Sequence, residues 1–312
     1  MIANWIMDQN NQKHTTTYST KYMSVSNIQA KVILSIVKAI NRLLQLTKNF
    51  ILFLRRTLAI ISAKYAHFML RPDDIFIVTY PRSGTTWMQM ILYQLTTDGN
   101  MDFAHIYQVC PWLELSLELG KYSFESFGYP RIFKTHLSYN DIPKGPCKYI
   151  YVARDGKDVA TSYFHFYVSH LKYQGTFSEF FKSFLDGRIV YGSWFQHVSD
   201  WWLHREEPNI LFLTYEDLIQ DLEGCIQKII TFCNLKISSE KLPEILKRCS
   251  FEFMKEHENK FDHSLGVLVE EGFKPNSFIR KGMVGGGRKK LDSQQEMIFK
   301  QKLSEYADNL HY

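Results

Sequence analysis

The stretch TYPRSGTTWMQMIL, residues 79–92, decides how this chain is read. Before it stands DDIFIV (73–78), whose continuous apolar run suits a strand buried on both faces. After the glycine the apolar residues fall at helical spacing, so the segment reads as strand, tight turn and helix. Pro81-Arg82-Ser83-Gly84-Thr85-Thr86 therefore lies where a helix N-terminus and several backbone N–H groups converge. Gly84 permits the turn, the Ser and Thr hydroxyls add donors, and Arg82 adds a permanent charge. Such a turn suits a phosphate-like anion. It is not a Walker loop, because the G-x-x-x-x-G-K-[ST] spacing is absent, and no acidic strand end of the magnesium-holding type is evident. On residues alone, an ordinary Gly/Ser turn with a helix cap stays open beside the anion cradle.

Outward from this element the pattern alternates. RIFKTH (131–136) and KYIYVAR (148–154) read as strands, and KDVATSYFHFYVSH (157–170) as a helix. NILFLTYEDL (209–218) begins as a strand, and CIQKIITFC (225–233) is helical again. Strands alternating with helices predict an α/β fold, a P-loop-like parallel sheet flanked by helices. Sites in such sheets lie at the carboxyl ends of the strands.

The chain has 312 residues, enough for one large α/β domain or two small ones. Its five cysteines form no C-x-x-C pair and no regular spacing, which fits a reducing compartment better than a disulfide framework or zinc site. The net charge of +5 is unevenly spread. Residues 9–72 hold ten Lys or Arg and no acid, and the rest carries 27 basic against 32 acidic residues. A mildly acidic domain (67–312) thus follows a basic extension (1–66), which argues against a nucleic-acid surface on the domain.

Residues 1–30 are polar and expected to be poorly ordered. Residues 31–66 read as a basic amphipathic helix, with Ile33, Ile36, Val37, Ile40, Leu43, Leu44, Ile51, Leu54, Leu58 and Ile61 on one face. Arg55-Arg56 split its apolar end into runs far short of the ~18 residues a spanning helix needs. Three readings stay open: a helix docked on the domain, one lying on an anionic membrane surface, or part of an organelle transit segment, against which Asp8 counts. The expected location is cytoplasmic, with membrane association or organelle targeting as alternatives.

A family resemblance resolves the ambiguity of the loop. TYPRSGTTW resembles the 5′-phosphosulfate-binding loop of the cytosolic sulfotransferases of type 1, which usually have lysine at the position of Arg82. CPWLE (110–114) resembles the segment lining their acceptor pocket, RIFKTHLSYNDIP (131–143) their catalytic KTHLP element, and YVARDGKDVATSYFHF (151–166) their 3′-phosphate site. YGSWFQHVSDWW (191–202), LTYEDL (213–218), CSFEFMK (249–255) and SFIRKG (277–282) complete a colinear series over about residues 70–285.

The resemblance implies transfer of a sulfonate from 3′-phosphoadenosine 5′-phosphosulfate (PAPS) to a hydroxyl or amine of a small phenol, alcohol, sterol or amine, releasing 3′,5′-ADP. No metal is implied, since fixed cations and helix N-termini can stabilise the charge. By the same matching His136 is the general base. Lys134, two residues earlier on the same strand face, contacts the sulfonate or bridging oxygen. Arg82 neutralises the leaving phosphate, in a loop with Ser83, Gly84, Thr85 and Thr86. Arg154 and Ser162 grip the 3′-phosphate, and Phe278, Arg280, Lys281 and Gly282 fold over it. Trp87, Tyr215, Phe251 and Met254 surround the adenine and its ribose, while Trp112, Phe133 and Phe166 join Lys134 and His136 around the acceptor.

The chain departs from the family pattern in places. Arg82 keeps the charge of lysine but donates no proton, and the weakly basic leaving phosphate should tolerate that. Cys249 replaces a threonine near the adenine, losing a strong hydroxyl donor. RKGMVGGGRKKL (280–291) has Gly286-Gly287 where the family has Asp-Trp, so Gly285, Gly286 and Gly287 are expected to form a flexible lid. The family dimer motif K-x-x-x-T-V-x-x-x-E is absent, which leaves the oligomeric state open. Two rival functions remain: a catalytically weak nucleotide- or ligand-binding relative, and a magnesium-dependent P-loop kinase.

Overall fold

The computed structural model describes residues 69–119, 124–262, 278–280, 282–287 and 290–306, with isolated positions between residues 32 and 54. Two units divide the chain, Met1–Phe50 and Ile51–Tyr312. In the first, Val32, Ser35, Ile36, Ala39, Ile40, Leu43, Leu44 and Thr47 are helical and exposed. The expected polar start at 1–30 and most of the helix expected at 31–66 lie outside the described residues. No helix among the described residues is long and apolar enough to cross a membrane.

The second unit is built on four parallel strands: β1 (Ile75–Thr79), β2 (Ile132–Thr135), β3 (Lys148–Ala153) and β4 (Ile210–Thr214), in the order β2-β1-β3-β4. The α/β expectation holds. Every residue of β1 and β2 is buried, as parallel strands covered on both faces require. Side-chain alternation divides the apolar run of β1 between two cores. Phe76 and Val78 join Phe133, Tyr149, Tyr151, Phe195 and Trp201 on one face. Ile75 and Ile77 join Ile150, Val152, Met88, Ile91 and Ile226 on the other.

Helix α1 (Thr85–Thr96) leaves β1 through the glycine turn, and α2 (Leu113–Leu119) precedes β2. After β3 come α3 (Gly156–His170), α4 (Phe177–Leu185) and α5 (Trp194–Leu203). After β4 come α6 (Tyr215–Gln220), α7 (Leu222–Cys233), α8 (Leu242–Arg248), α9 (Phe251–Glu256) and, near the C-terminus, α10 (Ser293–Ser304). The chain moves from β1 to β2 on one side and then to β3 on the other. That reversal makes a topological switch point at the carboxyl end of β1.

A buried ion pair joins the opposite ends of β1 and β2. Arg131 Nε donates to Asp74 Oδ1 and its second arm to Asp74 Oδ2, both at 2.7 Å, with both side chains fully buried. Asp74 Oδ2 also accepts the Arg71 N–H, and Arg131 donates to the Met69 carbonyl. Asp74→Ala strands the guanidinium without its carboxylate, so it should cost about 3–5 kcal/mol. At roughly 2–4 °C per kcal/mol for a domain of this size, the melting temperature should fall by ~6–20 °C. A melt within about 2 °C of wild type would show the pair to be dispensable.

Candidate active site

The turn between β1 and α1 is fixed by backbone geometry. Gly84 caps α1 with φ 97, the left-handed region that glycine enters freely. A Cβ there would also lie 2.8 Å from Tyr215 Cδ2, so glycine is required twice over. Arg82 takes φ 73, unusual for a residue with a side chain. Thr85 and Thr79 share a hydroxyl–hydroxyl bond of 2.6 Å. Ser83 is buried with no partner for its Oγ, an orphaned donor in the loop expected to hold an anion.

This loop opens on a cavity of about 510 Å³, whose wall holds Arg82, Gly84, Thr85, Thr86, Trp87, Trp112, Lys134, His136, Arg154, Ser162, Tyr215 and Phe278 among others. That volume lies within the ~300–1,000 Å³ common for small-molecule sites. Residues expected from distant motifs are thus gathered around one space.

His136 follows β2 and is nearly buried. Its Nδ1 lies 2.8 Å from the Thr79 carbonyl, an acceptor only, so Nδ1 carries a proton and, in the neutral ring, Nε2 holds the lone pair. The ring meets Trp112 and Tyr191 edge to face, with centroids at 5.6 and 5.0 Å. Lys134 Nζ donates to Tyr107 Oη at 3.0 Å and sits 4.0 Å over the Trp112 ring.

Glu114, in the first turn of α2, is a functional candidate that the CPWLE motif did not single out. It is buried, and its Oε1 accepts the His136 N–H at 2.8 Å. Burial raises the pKa of Glu114, and the His136 N–H opposes the shift. Burial likewise pushes Lys134 down to about 7, with Glu114 opposing and Arg82 adding to the fall. Each charge offsets part of the other's desolvation, and burial remains the larger effect at both.

The far end of the cavity is cationic. Arg154 donates to the carbonyls of Arg82 and Met283 at 3.0 Å each, stacks 4.2 Å over Tyr215, and leaves a buried Nε unpartnered. The partly buried Arg82 donates from Nε to Ser162 Oγ (3.2 Å) and from its terminal nitrogen to the Phe278 carbonyl (3.1 Å). Burial, then Arg154, lower Arg82 to about 10. Partial burial, followed by the same neighbour, lowers Arg280.

The lid expected to be flexible is fastened at two of its three glycines. Asp158 on α3 accepts the N–H groups of Gly285, at 2.8 Å, and of Gly287. Gly287 lies so close to the Lys157 backbone that any Cβ would collide with its carbonyl group. Two glycines here serve a positive φ (Gly285, 79°) and a close approach of backbones.

Trp87, Tyr215, Phe251 and Met254 all line the cavity, with Trp87 Nε1 donating to the Cys249 carbonyl at 2.7 Å. Gly282 has φ 57 and packs against Phe251. Phe166 lines the wall, and the Arg82 guanidinium lies 5.2 Å over its ring. Phe133 does not belong with them. It stacks on Phe76 and meets Phe124 edge-on, centroids 5.2 Å in each case, fully buried in the core. Adjacent strand residues point to opposite faces, so Lys134 in the cavity puts Phe133 behind the sheet. Lys281 lies outside the described residues.

A family model described as "Sulfotransferase domain" matches residues 72–308. Sulfotransferase 1B1 of Mus musculus is 38% identical over 255 residues, covering 76% of this chain and 85% of the mouse protein. Among solved structures, retinol dehydratase in complex with androsterone and inactive cofactor PAP superposes with a TM-score of 0.69 at 27% identity, covering 80% of this chain and 86% of that one. A mouse sulfotransferase complexed with PAP superposes at 0.66 with 29% identity, covering 80% and 88%.

The Lys134–Glu114 arrangement makes a pH-dependent prediction. In a ¹³C titration of the lysine ε-carbons, one resonance, lost in Lys134→Met, should titrate near pH 7 while ordinary lysines titrate near ~10.4. Glu114→Gln removes the charge that favours the ammonium, so this midpoint should move to lower pH. A midpoint that stays put, or one near the ordinary lysine value, would contradict the coupling.

Proposed function

The chain belongs to the sulfotransferase family as a PAPS-dependent enzyme, and from that premise we propose that it sulfonates a hydroxyl or amine of a small molecule with His136 as general base. One observation carries the reading. The Nδ1–H of His136 is committed to the Thr79 carbonyl at 2.8 Å, which leaves Nε2 as the acceptor in a cavity shared with the glycine turn, Lys134 and Arg154. An imidazole held in that tautomer is poised to take the acceptor proton as the oxygen or nitrogen attacks sulfur.

Around it the side chains divide the work. Lys134 meets negative charge on the sulfonate or on the oxygen that leaves with the nucleotide. Arg82, the buried Ser83 hydroxyl and the N–H groups opening α1 receive the 5′-phosphate. Arg154, Ser162 and the lid at Arg280–Gly282 grip the 3′-phosphate, and the unpartnered Arg154 Nε supports that assignment. Trp87, Tyr215, Phe251 and Met254 supply flat and polarisable surface for the purine. Trp112 and Tyr191 beside His136, with Phe166 elsewhere on the cavity wall, favour an aromatic or polycyclic acceptor. The PAP complexes of the structural relatives support the nucleotide half of this reading.

Two substitutions separate chemistry from binding. His136→Ala should leave 3′,5′-ADP affinity within about threefold and lower turnover by ~10²-fold or more. Turnover near wild type removes His136 from the role of base. Arg154→Ala should weaken 3′,5′-ADP by about 1.5–3 kcal/mol while changing 5′-AMP little, because only the former carries the 3′-phosphate. Equal weakening of both nucleotides would place the arginine elsewhere.

A further inference from the structure

The cavity wall also carries a cation that this mechanism leaves unused. Lys290 lies past the lid, and its backbone N–H closes a turn on the Gly287 carbonyl at 3.0 Å. Because Gly287 is wedged against the backbone of α3, the lid's fastening also sets where Lys290 begins. Its Nζ lies 3.4 Å from His165 Nε2, and its charge sits over the rings of Phe164 and Phe177, at 4.7 and 4.9 Å. Asp158, Ser162 and His165 are spaced four and three residues apart on α3, so they form one stripe of that helix. His165 therefore stands one turn beyond the hydroxyl assigned to the 3′-phosphate, and both it and Lys290 line the same cavity.

Charge points the same way. Lys290 has no acidic partner among the described residues, and burial followed by Arg280 lowers its pKa. Asp158, the acid in this part of the wall, is already occupied by the lid N–H groups and by Arg154 at 3.9 Å. Partly buried cations that repel one another are stabilised by an anion placed among them.

We propose that Lys290, held in place by His165, is a nucleotide-binding residue that adds a third cation to the 3′-phosphate beside Arg154 and Arg280. The proposal rests on the reading of Arg154 and Ser162 as the 3′-phosphate grip. It assigns binding to a residue past the matched motif, where the chain has lost the family's Asp-Trp. The plain alternative is that Lys290 only packs on Phe164 and Phe177.

Affinities of 3′,5′-ADP and 5′-AMP for the full chain and its variants decide between them. Lys290→Met keeps the aliphatic stem over the two phenylalanines and removes the charge. It should weaken 3′,5′-ADP by about tenfold, as expected for a charge-assisted phosphate contact, and leave 5′-AMP within about twofold. Lys290→Arg should restore 3′,5′-ADP to within about threefold of wild type. Lys290→Gln provides a second neutral side chain should the methionine variant fold poorly. If the neutral variants leave 3′,5′-ADP unchanged, or weaken both nucleotides equally, while Arg154→Ala still discriminates, Lys290 is structural and the inference falls alone. If Arg154→Ala fails to discriminate as well, the nucleotide reading of the whole cavity falls with it.

Discussion

The parallel register of β1 against β2 is the constraint on which the site depends. Ile75 pairs with Ile132 and Val78 with Thr135, so the next step along both strands brings Thr79 beside His136. The Thr79 carbonyl then fixes the imidazole tautomer, while the Thr79 hydroxyl reaches Thr85 across the turn. One strand end thereby sets both the imidazole and the first residue of α1. A slip of one residue would turn Lys134 into the core and Phe133 into the cavity, because side chains alternate along a strand. The Asp74–Arg131 pair opposes that slip from the other end, as it locks the residues just before both strands.

What the register gathers is a set of cations that burial and mutual repulsion disfavour. Arg82, Lys134, Arg280 and Lys290 are all displaced toward their neutral forms, by burial first, with neighbouring cations acting in the same direction. Glu114, Asp158 and Asp262 are buried acids that face members of this group, and the first two are engaged by backbone N–H groups. A site of this kind gives up little reorganisation when a multiply charged anion arrives, since its dipoles and cations are already in place. Behind the sheet, fully buried aromatics such as Phe76, Phe133, Tyr149 and Trp201 pack together in one core.

Much of this was legible in the sequence, for reasons that differ by element. Strand β1, its turn and α1 could be read because apolar period, Gly84 and the hydroxyl cluster all agree within a few residues. The other strands followed from their apolar runs, and the residues that gather around the cavity had been named by the family resemblance. Phe133 was misplaced although strand parity beside Lys134 contained the answer. Glu114 could not be found this way, since its meaning is a hydrogen bond to a residue 22 positions later. Asp158 and the lid glycines join across more than 120 residues, and a run of three glycines gives no sign of the helix that lies against its last member. Residues 1–66 carry no such motif and remain a matter of composition.

Arginine at position 82 gains a physical reason from the same contacts. Its guanidinium lies over Phe166 at 5.2 Å and over Phe278 at 4.9 Å, and two of its donors reach Ser162 on α3 and the Phe278 carbonyl at the start of the lid. One planar fork thus ties the glycine turn, helix α3 and the lid together. A lysine ammonium is a single point of charge, and could not stack on both rings while bonding in two directions. The lid here lacks the large side chain that the family carries two residues after the glycine at position 285, having Gly287 in its place. The extra reach of Arg82 and the two N–H bonds to Asp158 fasten the lid from either end instead. Arg82 and the glycines that looked like separate departures from the family pattern therefore act on the same segment, one supplying the grip and the other the space for it.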